Sequence, residues 1–382
     1  MPTAPPAANA YGPGFQLDPF PTLARLRAEA PVNRMTHPEV GECWVVIRYP
    51  EVKALSADPR LRKPQNPKDG NSLNSPPPVH TRLRKLVQAA FTTQRMEALR
   101  GWTEHITERL LDGMARQGEV DLLEAFTDPM PVAVISRLLG VPDEELAEVH
   151  RCARGFLTET EALRDEMFGV AHQYVVSLVA RKRENPGDDV TSALIAARDG
   201  HDRLDEDELV RMVMALLVNG SITTTTVLGT GTNLLLTHPD QHELLRRRPA
   251  LVPGAVEEIL RMEAPIGAIT WEAAEDIPVG DEVIAAGDYV MTSVQGANRD
   301  PGWFTDPDRF DITRSPNPHL TFSHGIHHCL GAPLARMEAR VALGALLRRF
   351  PGMRLAGAPS WRDSYVVRGL TRLPVDVGTS AS

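Results

Sequence analysis

Between Leu209 and Leu235, apolar and small residues return at three- and four-residue steps: Leu209, Met212, Val213, Leu216, Leu217, Gly220, Thr224, Val227, Leu228, Gly231 and Leu235. That period marks one face of an α-helix, sustained over roughly 30 residues where about 10–14 is usual. Asp205, with Glu208 three residues on, matches a capping box at its start, and His238-Pro239 marks its end. A helix of that length has to cross the core. Strand-like runs occur only at Cys43 to about Arg48, ended by Tyr49-Pro50, at Glu282 to Val294 and at Ser364 to Val377. The expected fold class is therefore mainly α with small peripheral β-sheets.

The 382 residues, 42% of them apolar, suffice for a sizeable core, and no internal repeat or low-complexity linker divides the chain. The expected organisation is a loosely ordered Pro-, Ala- and Gly-rich segment over residues 1–17 and a single domain over 18–382. KPQNPKDGNSLNSPPP, from Lys63 to Pro78, reads as a long loop of the kind that carries function. The net charge of -9 gives the whole molecule no reason to seek nucleic acid. Cys43, Cys152 and Cys329 are odd in number and widely separated, with no apparent signal peptide, and no run approaches 18 consecutive apolar residues. The expectation is a cytoplasmic protein without disulfides or a membrane anchor.

TFSHGIHHCLGAPLAR, from Thr321 to Arg336, gathers His324, His327, His328 and Cys329 just before a helical pattern. Local chemistry leaves several readings open: a zinc site lacking its second ligand pair, a nucleophile paired with His, or an inert buried thiol. Gly325 and Gly331 flank the cysteine and allow tight turns, and a following helix would place Cys329 by an N-terminus that stabilises a thiolate. Such a site suits axial ligation of iron.

Phe322, Gly325, His327, Cys329 and Gly331 fit F-x-x-G-x-[HR]-x-C-x-G, and here the sequence resembles the cytochrome P450 family of haem-thiolate monooxygenases. Glu258 and Arg261 in EEILR fit the family's E-x-x-R, and Arg309 in DPDRF fits the arginine that completes a buried structural triad. His80 and Arg84 in HTRLR look like haem propionate ligands, and ANRDP, from Ala297, looks like the segment before the meander. The resemblance runs from about Phe20 to the C-terminus. It implies the P450 fold, with the long central helix over a haem b, Cys329 as the metal ligand and His327 on a propionate.

On the long helix the resemblance assigns catalytic positions to Asn219, Gly220, Ser221 and Thr223. Gly220 would let the helix open beside bound oxygen, and Thr223 would steady the proton relay, but Ile222 stands where the family carries an acid. Trp271 stands where an arginine commonly meets a propionate, offering an N–H and an aromatic face but no charge. Val79 replaces the acid that often precedes the histidine of His80.

The implied function is insertion of one atom of O2 into a medium-sized organic small molecule, by hydroxylation or epoxidation in secondary metabolism. Electrons would come from NAD(P)H through a separate ferredoxin and ferredoxin reductase, since no flavin or iron-sulfur segment is visible in this chain. The alternatives are peroxide-driven or coupling chemistry on the same haem-thiolate centre, or a non-catalytic haem sensor. Arg84, Lys85, Arg336 and Arg340 could form a basic patch for an acidic ferredoxin, or simply a solvated face. By position, Lys63 to Ser75, Arg154 to Leu163, Ala215, Asn219, Ile266 to Thr270 (Ile266, Ile269 and Thr270 foremost), Val366 and Val367 should line the substrate pocket. A monomer is expected.

Overall fold

The long helix forms over Glu206–Thr237, 32 residues without a break. Both halves of the capping box are made: Asp205 accepts from the Glu208 N–H at 2.6 Å, and the Asp205 N–H donates to Glu208 Oε2 at 3.0 Å. Its apolar stretch is long enough to cross a membrane by composition, contrary to the run count, yet 61% of that window is buried inside the protein. The apolar length serves a core.

The computed structural model describes residues 14–15, 17–38, 40–64, 73–155, 161–198 and 204–378. Most of the 1–17 segment, residues 65–72 of the long loop and 156–160 of the proposed pocket segment lie outside the described residues. The contacts divide the chain into two units: residues 1–64, 253–330 and 361–369, and residues 65–252, 331–360 and 370–382.

The second unit is helical. The central helix packs against Pro129–Leu139, Glu161–Glu184 and Ala332–Arg349, and Ala332–Arg349 also packs on Thr93–Ala115. Gly220 is what allows the first of these approaches, because a Cβ there would lie 2.8 Å from Ile135 Cδ1. A small antiparallel sheet, Glu119–Asp121, Pro374–Asp376 and Arg354–Leu355 in spatial order, joins the C-terminal strand to this unit.

The first unit is built on a five-stranded sheet in the order Val32–His37, Gly41–Val46, Tyr289–Ser293, Ala268–Ala273, Leu61–Arg62. One pairing is parallel, Gly41–Val46 with Tyr289–Ser293, and the rest are antiparallel. Trp44, Tyr49, Trp271, Val290 and Phe304 belong to one apolar cluster of this unit, and Leu26, Met35, Val45 and Met291 to another. The strand expected from Cys43 is found over Gly41–Val46, and Tyr49-Pro50 opens a helix, Tyr49–Leu55. Val32–His37 was not anticipated, because its polar Asn33, Arg34, Thr36 and His37 hide the strand pattern.

Candidate active site

Side chains fasten the cysteine loop where regular structure is missing. Asn298 accepts the Leu320 N–H at 2.7 Å and donates to Thr321 Oγ1 at 2.9 Å, while the Thr321 hydroxyl donates to the Leu260 carbonyl at 2.7 Å. Further on, the Cys329 N–H donates to the Phe322 carbonyl at 2.9 Å and the His328 N–H to the Gly325 carbonyl at 3.1 Å. Gly325 is required by its own chain: φ is +76°, and a Cβ would lie 2.7 Å from Ala57 Cα and 2.8 Å from the Ser56 carbonyl oxygen. Gly331, with φ -80°, has ordinary backbone and precedes the helix Ala332–Arg349.

The loop leaves Cys329 exposed, whereas Cys43 and Cys152 are buried. Burial pushes the Cys43 thiol up to about 11, which makes it inert near neutrality. Among the described residues no three His, Cys, Asp or Glu side chains meet in a metal-ligating group, so the zinc reading of the segment drops out. His324 and His328 are exposed and His327 is half-buried.

Glu258 and Arg261 are fully buried, bonded twice at 2.8 Å. The arginine expected to join them does not. Arg309 has an exposed side chain and contributes only its carbonyl, 3.2 Å from Arg261 Nη2. The ion-pair partner is Arg314, whose Nε lies 3.2 Å from Glu258 Oε1, with Asn317 Nδ2 at 3.0 Å from Oε2 and the Asp311 N–H at 3.0 Å from Oε1. Two arginines five residues apart in an irregular loop offer no periodicity by which to choose between them.

Trp271 also departs from expectation. Its Nε1 donates to Thr292 Oγ1 at 2.9 Å and its side chain is fully buried, so the N–H has no capacity left for a cofactor. Its ring instead meets His327 edge-on at 5.5 Å and carries Lys63 Nζ 4.1 Å from its centroid. In the other unit, His80 and Arg84 stand on the helix Val79–Ala90. His80 is buried, which pushes its pKa down, and the Arg84 charge adds to that.

On the central helix Thr223 is half-buried and its hydroxyl donates to the Asn219 carbonyl at 2.9 Å. The helix is unbroken there, and Gly220 packs against Ile135. Ser221 is buried, two residues from Thr223 and so on another side of the helix, with its hydroxyl on the Leu217 and Val218 carbonyls at 2.9 and 3.1 Å. It is removed from the candidate relay. Ala215, Leu216, Asn219, Ile222 and Thr223 remain half-buried or exposed midway along a helix otherwise largely buried.

Of the expected pocket residues in the first unit, Ile266 and Val367 are brought together by a β-bridge, while Val366 is exposed. Ile269 and Thr270 are successive on a strand and point to opposite faces, and Ile269 packs on the Trp271 cluster. They cannot both line one surface. Residues not assigned to the site from the sequence are Asn298 and Thr321, which fix the loop, and Arg314; Lys63, expected to line the pocket, stands over the Trp271 ring instead. ANRDP was the available signal for Asn298; the others depend on contacts distant in sequence.

Within its own unit the cysteine loop fits a haem: one exposed thiol on a fixed loop for iron, with the half-buried His327 imidazole as a donor for a carboxylate. The family model for cytochrome P450 matches residues 130–352. Cytochrome P450 107B1 of Saccharopolyspora erythraea is 42% identical over 399 residues, covering 98% of each chain. Mycinamicin IV hydroxylase/epoxidase of Micromonospora griseorubida is 41% identical over 397 residues, covering 98% of this chain and 100% of that one. The solved structure of PksS, the cytochrome P450 of the Bacillus subtilis bacillaene polyketide synthase, superposes with a TM-score of 0.91 at 36% identity, covering 97% of this chain and 99% of that one. The chain belongs to the cytochrome P450 family. It is a P450 monooxygenase, and membership implies a haem cofactor.

Proposed function

We propose that the enzyme inserts one oxygen atom of O2 into a medium-sized secondary metabolite, by hydroxylation or epoxidation, with haem b as cofactor and electrons from NAD(P)H delivered by a separate ferredoxin and its reductase. The observation that carries this reading is the exposed Cys329 thiol, on a loop tied at Leu320, Thr321 and Cys329 itself, in a chain whose other thiols are buried. Its relatives among hydroxylases of the same length support the reaction class.

Cys329 would ligate the iron, and His327, His80 and Arg84 would bind the carboxylates. Haem held by a thiolate supplies O2 activation and favours O–O cleavage. Thr223 holds a hydroxyl proton on the half-exposed face of the central helix, and Asn219 presents an exposed amide one turn away to orient a polar group of the substrate. Ile222 cannot exchange protons, so delivery runs through Thr223, water and that substrate group. Arg84, Arg336 and Arg340, half-buried, and Lys85, exposed, form the basic residues offered to an acidic ferredoxin.

The test is spectroscopic. Reduced enzyme under carbon monoxide should give the red-shifted Soret band of thiolate ligation, and Cys329→His should abolish it. A nitrogen-ligated spectrum in the wild type would overturn the reading.

A further inference from the structure

Trp271 occupies the position from which an arginine would neutralise a haem carboxylate, yet its only polar atom is already bonded to Thr292. The charge must come from elsewhere. The strand Leu61–Arg62 pairs antiparallel with Ala268–Ala273, Leu61 opposite Ala273 and Arg62 opposite Glu272, so continuing the register by one residue sets Lys63 opposite Trp271. The side chain follows the register: Lys63 Nζ stands over the indole at 4.1 Å and lies 3.5 Å from the Thr270 carbonyl. The same indole meets the ring of His327, in the cysteine loop, at 5.5 Å.

From this we infer that Lys63 is a cofactor-binding residue, supplying the positive charge for the haem carboxylate on the Trp271 side, with the buried indole as the platform that aims the ammonium. The inference rests on the proposed haem-thiolate reading. Two side chains then share the work of one arginine: a flat aromatic body fills the space under the strand, and a cation reaches in from the neighbouring strand. Cation–π contact with tryptophan stabilises an ammonium at this range and restricts where it points. Burial pushes the Lys63 ammonium down to about 8, a cost that a carboxylate beside it would offset. Arg62, the adjacent residue, is exposed and follows the strand alternation away from the indole.

The test uses holoenzyme and haem transfer to apomyoglobin. Lys63→Met, which keeps length and removes charge, should lose haem about tenfold faster, the scale of one charge-assisted hydrogen bond. Lys63→Arg should stay within about twofold of wild type and Arg62→Met should be unchanged. The haem midpoint potential, read on whatever fraction of Lys63→Met or a second variant, Lys63→Gln, retains haem, should shift negative, because a cation near the iron favours the reduced state. Wild-type retention and potential in Lys63→Met would overturn the inference while leaving the thiolate spectrum intact. Equal haem loss in Lys63→Arg, or in Arg62→Met, would overturn it by showing packing or net charge to be the cause. A wild type without thiolate-ligated haem would overturn both this inference and the proposed function.

Discussion

Glu258 and Glu338 are both fully buried glutamates on helices, and they differ in everything that surrounds the carboxylate. Glu258 is bonded to Arg261, Arg314, Asn317 and the Asp311 N–H. Neither oxygen of Glu338 has a hydrogen-bond partner among the described residues, and burial raises its pKa well above the ordinary carboxylate range. Glu263 lies between them: Arg368 Nε is 3.2 Å away, yet burial still pushes its carboxyl up against the pull of Arg368 and Arg299. Burial alone therefore does not say what a carboxylate is for. Partners decide whether it is a fixed anion that organises a loop or an acid held neutral.

The largest effect should come from breaking the organised site. Glu258→Gln leaves the fully buried Arg261 guanidinium without a counter-charge and should cost about 3–5 kcal/mol. Arg261 also donates to the Asn298 carbonyl at 2.9 Å and the Pro307 carbonyl at 2.6 Å, so the loss would spread to Asn298, which fixes the cysteine loop. The expected readout is loss of retained haem and a collapse of the melting temperature. A variant that keeps haem and melts within a few degrees of wild type would show that the cluster is ornamental.

A smaller effect sharpens the assignment inside that cluster. Arg314→Ala removes the ion pair to Glu258 and donors to the Thr305, Asp306 and Arg309 carbonyls, at an expected cost of about 1–3 kcal/mol. Arg309→Ala removes only an exposed side chain and should fall within about 0.5 kcal/mol of wild type. Thermal melts of the two holoenzymes, run side by side, decide between them. Equal losses would return the third position of the triad to Arg309.

How far these sites were legible in the sequence follows from how local their causes are. The central helix and both of its ends could be read because periodicity and capping act within a turn or two. The pairing of Glu258 with Arg261 was legible because their three-residue spacing on one helix is fixed by a short motif. Arg314 was not, since a loop's register is set by what it meets rather than by its own pattern. Lys63 and the fate of the Trp271 N–H depend on strands some 200 residues apart in the chain, Leu61–Arg62 against Ala268–Ala273. Glu338 was hidden for the opposite reason: ARMEARVAL reads as an ordinary helix with solvated charges, and only packing on two neighbouring helices makes this position a core one.

A change at Glu338 has the opposite sign to that at Glu258 and depends on pH. An unfolded glutamate titrates near 4.3, whereas the folded carboxyl holds its proton to higher pH. Between those two values the folded chain carries one proton more than the unfolded chain, so stability falls as pH rises, by up to about 1.4 kcal/mol per pH unit. Below the unfolded value both states are protonated and the term vanishes. Glu338→Gln has the same shape without the titration. Its melting temperature relative to wild type should therefore climb from pH 5 to pH 8, so that a substitution in the core stabilises the enzyme most on the alkaline side. Holoenzyme melts at pH 5, 6, 7 and 8 measure it, with Glu258→Gln as the contrasting variant that is destabilised throughout. If the difference between Glu338→Gln and wild type stays flat across that range, the folded carboxyl is ionised, and a counter-charge or ordered water must reach the interior beside the helix Ala332–Arg349.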